Sequence, residues 1–329
     1  MLRSMFSGVS GLRTHQSRMD VIGNNIANVN TAAYKSGAAT FQESIYQTLQ
    51  GSSAGGTVYG GSNPNQVGYG SQTGSIAINF NASAFEPTGL LTHAMIDGQG
   101  FFMVGPKREG ISTGIDKATG KPDVLLPNDI PSLNLTRVGK FSVDGDGYLC
   151  MPDGNVVYGY MPENYDPAQP IKPPVNDEPF KPDPSNLRVI RVPSVNDQGE
   201  VHIPPVDGEP QLKLKDIAIG KDGMVTGTAD DGKIYKIGQV AVCNVPNPNA
   251  LENQGGGYYK VVNNTGEVSA HTPGAGTTGK LQPGGLEMSN VDLATEFSNM
   301  ITTQRGFQAC SKIISASDEM LQDLISMKR

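Results

Sequence analysis

Residues 293–321, LATEFSNMITTQRGFQACSKIISASDEML, set Leu293, Met300, Phe307, Ile314 and Leu321 seven positions apart, with Phe297 one turn along the same stripe. A repeat of seven keeps one stripe of a helix toward a neighbour over its whole length, so the stretch reads as a coiled-coil-type helix. The other end of the chain repeats the pattern: Met5, Leu12, Met19 and Ile26 recur every seventh residue, with Leu2 and Val9 in register beside them. By pattern alone, the partner of each stripe lies either in the same chain, as a helical hairpin, or in another copy. The candidate assembly residues are therefore Leu2, Met5, Val9, Leu12, Met19, Ile26, Leu293, Phe297, Met300, Phe307, Ile314 and Leu321.

The N-terminal helix is expected from Leu2 to Val29, although Gly23, Asn24, Asn25, Asn28 and Asn30 are weak helix formers crowding its last turns. The C-terminal helix has a clearer start, since Ser289 and Asp292 carry the spacing of a capping box before the apolar repeat. Acidic Asp292 and Glu296 near its start, with Lys328 and Arg329 at its end, suit the helix dipole. Isolated helices are marginal in water, so both are expected to be largely disordered in the monomer and to become helical on polymerisation.

Between the two ends the pattern changes. The stretch from Gly51 to Gly74 holds eight glycines with Ser, Asn and Pro64, a linker composition. From Ser75 onward, short apolar runs alternate with turns: Ile76 to Phe80, Ala94 to Ile96, Gly100 to Val104, Lys140 to Val143, Val156 to Tyr160, Leu212 to Ile219, Ile234 to Val242 and Tyr258 to Val262. Asp-Gly pairs at 97–98, 144–145, 146–147, 153–154, 222–223 and 231–232 supply hairpin turns. Residues 161–210 carry 12 of the 23 prolines, which disfavours regular helix and interior strand and predicts an irregular excursion. The expected fold is α+β. Its parts are a helical half at 1–50, a Gly-rich linker at 51–75, a mainly antiparallel β domain at 76–280 that includes the excursion, and a second helical half at 281–329 packed with the first.

Composition narrows the function. The chain has 329 residues, no Trp, 41 Gly and a net charge of −7. That acidity opposes nucleic acid, whose phosphates call for a basic surface. Cys150, Cys243 and Cys310 are too few and too scattered for a disulfide framework or a CxxC metal site, and read as buried or idle thiols. Residues 1–20 lack the apolar core of a cleavable signal, because Ser4, Ser7, Arg13, His15 and Arg18 interrupt it, and no apolar run reaches a membrane span. Gly274 to Lys280 has the spacing of a phosphate-binding loop, but Leu281 stands where the magnesium-binding hydroxyl belongs and Gln282-Pro283-Gly284-Gly285 prevents a following helix. Asp144, Asp146 and Asp153 lack calcium-loop spacing and read as turns, and His15, His93, His202 and His271 are too dispersed for a metal pair. No catalytic, cofactor or metal residue is singled out.

Ile22-Gly23-Asn24-Asn25-Ile26-Ala27-Asn28-Val29-Asn30-Thr31 resembles the N-terminal signature of bacterial flagellar rod and hook proteins. Leu286 to Leu293, Thr302 to Ala309 and Ser317 to Leu321 resemble the C-terminal signature, most closely that of its hook members. Ile96 to Phe102 and Thr136 to Asp144 agree as well, whereas the likeness fails near 161–210, where larger hook proteins carry a further β domain. Ala33 departs from the family's usual Gly before Tyr34.

The resemblance implies a non-enzymatic subunit of a helical tube, its terminal helices lining an export channel and its β domain outside. It further implies export without a cleavable signal through the flagellar type III apparatus. The implied product is the extracellular hook, a flexible tube transmitting motor torque. Its implied partners are further copies of itself, the distal rod protein, the hook–filament junction protein and the hook cap protein, with no nucleic acid and no membrane insertion. The alternative is the distal rod of the basal body, a straight tube. A remote alternative of another class is a secreted adhesin or enzyme on a β scaffold.

Overall fold

The computed structural model describes residues 2–55, 60–107, 111–112, 133–162, 180–195, 201–202, 214–229 and 232–327. The chain divides into two compact units, one of residues 1–30, 35–79 and 291–329, the other of residues 31–34 and 80–290. The architecture is α+β, with a helix at each end of the chain and an antiparallel sheet domain between them.

In the first unit, helix α1 spans Leu2–Ala27 and helix α2 spans Leu293–Met327. α1 stops two residues short of the expected Val29. The Asn28 side chain donates to the Asn24 carbonyl at 2.9 Å, so asparagine competes for the acceptor that another helical turn would use. α2 starts after Asp292 rather than after a Ser289 cap. The Asp292 carboxylate accepts from the Ala294 amide at 3.0 Å and from the Thr295 hydroxyl at 2.6 Å. Those two bonds, the hydroxyl's first, hold the Asp292 carboxyl below its ordinary pKa.

The same unit contains strands β1 (Gly37–Glu43), β2 (Tyr46–Gln50), β3 (Asn65–Gly68) and β4 (Ser71–Ile78). β1 pairs antiparallel with β4 and β2 with β3. The ladder continues between them through Ser44 N–H to Gly70 C=O at 2.8 Å and Tyr69 N–H to Ile45 C=O at 3.1 Å. One long two-stranded ribbon results, and the expected linker at 51–75 supplies most of its returning arm. Both faces of β2 are exposed, so polar residues suffice there and the apolar alternation that normally marks a strand is missing.

The second unit closes around one antiparallel sheet. Its first strands in the chain are β5 (Phe85–Pro87), β6 (Ala94–Asp97) and β7 (Phe101–Gly105), of which β7 belongs to that sheet and β5 and β6 to two separate two-stranded ladders. β7 pairs with Asn134–Thr136, Val156–Pro162 and Val242–Asn244, and Val156–Pro162 in turn pairs with Ile234–Val240. Strands from both sides of the proline-rich stretch therefore share one sheet. Ile96, Phe102, Val104, Phe141, Leu149, Val157, Ile237 and Val240 form its core. β6 pairs with Lys280–Pro283 and β5 with Gly285–Glu287, so Asp97-Gly98 is a connection between differently paired strands and not a hairpin. Within the expected irregular excursion, Pro182–Val189 is a strand on Val156–Pro162; its prolines fall at the strand start, where the register slips between Tyr160 and Pro162. Residues 163–179, 196–200 and 203–213 lie outside the described residues.

A buried ion pair fastens this unit. Arg137 Nε lies 3.6 Å from Glu287 Oε2, with both side chains almost wholly buried. The guanidinium also donates to the Phe80 carbonyl at 2.8 Å and to the Gly98 carbonyl, while Glu287 Oε1 accepts from the Ser83 amide at 3.1 Å. Both residues belong to segments that carried the family resemblance, and their work here is structural. Ala33, also in this unit, adopts φ 57°, the left-handed region that favours glycine, and its amide donates to the Glu287 carbonyl at 2.8 Å.

Candidate assembly surface

α1 and α2 run antiparallel, and their seam is built from small residues. Ser4 Oγ lies 3.2 Å from Ser317 Oγ. A β-carbon placed on Gly8 would lie 3.0 Å from Ile314 Cγ1, one on Gly11 2.8 Å from Cys310 Sγ, and one on Gly306 2.5 Å from the His15 ring. Such spacing brings the two backbones closer than larger side chains permit. At the far end of the pair, Asn25 Nδ2 donates to Glu296 Oε1 at 3.2 Å.

Asn25, buried, also binds the ribbon as a neighbouring strand would. Its amide nitrogen donates to the Gly37 carbonyl at 2.8 Å and its side-chain oxygen accepts the Gly37 N–H at 3.0 Å. Thr14 Oγ1 lies 3.1 Å from Ser71 Oγ, and Phe41 meets the His15 ring edge-on at 5.5 Å between centroids. Burial first, and then the Arg18 guanidinium, hold His15 below the ordinary histidine pKa. Gly70, at φ 107°, lies against Ser7 and Ser10 so closely that any β-carbon would collide with the Ser10 hydroxyl. The ribbon and α1 thereby enclose a groove of about 460 Å³ whose lining includes Phe6, Val9, Arg13 and Tyr69.

Because small residues occupy the seam, the apolar heptads are largely displaced from it. Of the expected assembly residues, Ile314 touches the seam, and Val9, Leu293, Phe297 and Phe307 are exposed. Met5, Leu12, Met19, Ile26, Met300 and Leu321 are half-buried, and the Leu2 side chain lies outside the described residues. Ile301, Ile313, Met320, Leu324, Ile325 and Met327 add further exposed apolar surface on α2. The two helices thus pair within one chain, as the hairpin alternative required, while leaving much of their apolar surface exposed.

The sequence reading missed Gly8, Gly11, Gly306 and Asn25 as interface residues. The available signal was a run of small residues three or four apart, Ser4, Gly8 and Gly11, mirrored by Gly306, Cys310 and Ser317.

The remaining candidates are accounted for locally. The Gly274–Lys280 segment is a turn whose amides are used internally, Gly274 N–H to Gly279 C=O at 3.0 Å and Thr278 N–H to Ala275 C=O at 3.2 Å. Lys280 then opens a strand instead of a helix. Asp144 and Asp146 face Lys107 Nζ at 3.7 and 3.1 Å, and the hydrogen bond to Asp146 raises the Lys107 pKa. His93 Nδ1 is 2.8 Å from Thr88 Oγ1, and His271 Nε2 is 3.0 Å from Ser269 Oγ. Cys150 and Cys243 are buried free thiols, with burial pushing the Cys243 pKa up; Cys310 is half-buried in the seam. Among the described residues no group of three or more His, Cys, Asp or Glu is arranged for a metal, and no helix is long and apolar enough to cross a membrane.

Comparison with known proteins bears directly on the helices. Residues 5–35 match the family of flagella basal body rod proteins, and residues 282–327 match the C-terminal family of flagellar basal body rod FlgEFG proteins. The chain is 36% identical to the flagellar basal-body rod protein FlgG of Bacillus subtilis over 330 residues, covering all of both chains. It is 27% identical to the flagellar hook protein FlgE of Borreliella burgdorferi over 464 residues, again covering all of both. A flagellar hook protein structure from Helicobacter pylori aligns with a TM-score of 0.37 at 10% identity, over 62% of this chain and 100% of that one. The relative matched end to end at 36% identity, with family matches on both terminal helices, places this chain in the flagellar rod and hook family, whose members are structural proteins of the bacterial flagellum and not enzymes.

Proposed function

We propose that the chain polymerises through its paired terminal helices into the hook, a hollow tube that encloses an export channel and carries torque from motor to filament. The observation that carries this reading is the apolar surface left outside a seam of glycines and serines: Phe297, Ile301, Phe307 and Ile313 remain exposed on the helix pair. Exposed apolar patches of this kind mark surfaces that neighbours cover. A heterologous contact that does not close on itself generates a filament. Extracellular placement in the hook, with the rod, junction and cap proteins and the export apparatus as partners, follows from the same reading. The full-length match to a longer hook protein supports it, as does the hairpin between Val156–Pro162 and Pro182–Val189, where a family member can accept added chain without disturbing the sheet.

The distal rod is the second reading, favoured by the 36% identity to the Bacillus rod protein. Negative-stain electron microscopy of the concentrated full chain separates the two. Curved tubes are the expected result, straight tubes establish the rod, and absence of tubes overturns polymerisation altogether. Phe307→Asp is expected to leave the sheet domain folded while abolishing tubes, since it places an unpaired charge in the assembled interface.

A further inference from the structure

α2 is longer than its partner. It has 35 residues against 26 in α1, and the Ser4–Ser317 pairing fixes their register. Its last turns therefore run beyond the start of α1. Exposure rises along this overhang, from 50% at Leu324 to 68% at Ile325 and 82% at Met327. Among the described residues its one charge is Asp323, since the Ser4–Ser317 register sets Asp318 and Glu319 beside the first residues of α1; Lys328 and Arg329, which follow, lie outside the described residues.

The groove between α1 and the ribbon is the complementary surface. Phe6 is 64% exposed and Val9 40%, with Arg13 beside them, and α1 as a whole carries Arg3, Arg13 and Arg18 against one acid, Asp20. Its volume of about 460 Å³ lies in the range that holds several side chains. The overhang of the same chain cannot enter it. Extrapolating from the Ser4–Ser317 pairing, Val9 lies beside the residues near 312, and Ile325 is about 20 Å further along a continuous helix at 1.5 Å per residue. The occupant must come from another copy.

We infer that the C-terminal overhang of α2 in one copy docks into the α1–ribbon groove of the next, with Leu324 and Ile325 against Phe6 and Val9 and Asp323 facing Arg13. This inference rests on the polymer reading and names the surfaces that meet. Overhang and groove are different surfaces of one chain, so each copy both gives and receives, and the contact propagates.

The test is a charge exchange in the full-length chain, read as the concentration needed for tubes. Arg13→Glu and Asp323→Arg are each expected to raise it at least tenfold with far-ultraviolet circular dichroism unchanged, and the double variant to restore it to within about threefold of the unmodified chain. Normal assembly by both single variants, or failure of the double variant to recover, overturns the docking while leaving polymerisation intact. Failure of the unmodified chain to form tubes overturns polymerisation and the docking with it.

Discussion

The sheet unit and the helix unit solve burial in opposite ways. The sheet unit buries its largest side chains, Tyr158, Phe102, Phe141 and Arg137 among them, and completes its core from strands far apart in sequence. In the helix unit, Ile22 is the one large apolar side chain buried among the described residues, whereas the polar Thr14, Asn25, Lys35, Thr303 and Ser317 are buried as well. A unit that packs glycine and serine inward and leaves phenylalanine and isoleucine outward is stable enough to form a shape and apolar enough to require company. The contrast separates a finished domain from an adhesive one.

The contrast breaks most severely where the sheet unit depends on charge. Glu287→Gln leaves the buried Arg137 guanidinium without its counter-charge, at an expected cost of about 3–5 kcal/mol. Denaturant unfolding followed by tyrosine fluorescence should show a large fall in midpoint, and a midpoint near that of the unmodified chain would refute the anchoring role. Next in size is Gly11→Val, whose side chain must displace Cys310 and so pushes the helices apart, at about 1–3 kcal/mol. Loss of helical signal and of tubes is expected with the sheet unit's unfolding unchanged. Equal destabilisation of both units would erase the distinction between them.

A smaller effect comes from pH. His15 has a lowered pKa in the folded chain, so the unfolded state binds more protons, and the helix unit's stability is complete above the unfolded value of about 6.5 and falls as pH drops below it. The helical unfolding midpoint should decline between pH 7 and 5, and His15→Gln should flatten that decline; an unaltered slope in this variant would remove His15 from the account. Least of all, Ala33→Gly relieves a left-handed backbone at a buried position and should stabilise the sheet unit by about 0.5–1 kcal/mol, the steric relief exceeding the added unfolded-state freedom. A lower melting temperature for this variant would show that the alanine is not strained.

Much of this arrangement can be read in the chain itself, and the reasons for the rest are physical. Leu293 to Leu321 announces a long helix because apolar residues at heptad spacing mean the same thing in any context. The sheet is legible from apolar runs such as Phe101 to Val104, with Asp-Gly turns at 153–154 and 222–223. The helical seam is not, because Gly8 and Gly306 gain meaning only from what lies opposite, Ile314 and His15, and nothing local names that partner. The ribbon hides for another reason. Strands such as Tyr46–Gln50, exposed on both sides, need no apolar alternation, so glycine, serine and threonine between 51 and 75 look like a linker while forming a ladder.

The Ser4–Ser317 pairing spans 313 residues of chain. Closing so long a loop carries an entropic cost, and the sheet unit closes long loops of its own where Phe85 pairs with Glu287 and Asp97 with Lys280. The surface shared by both helices therefore exists only once α1 and α2, far apart in the chain, have paired. A chain whose ends have not yet met does not display that composite surface, so the closing of the helix pair is also what switches the surface on.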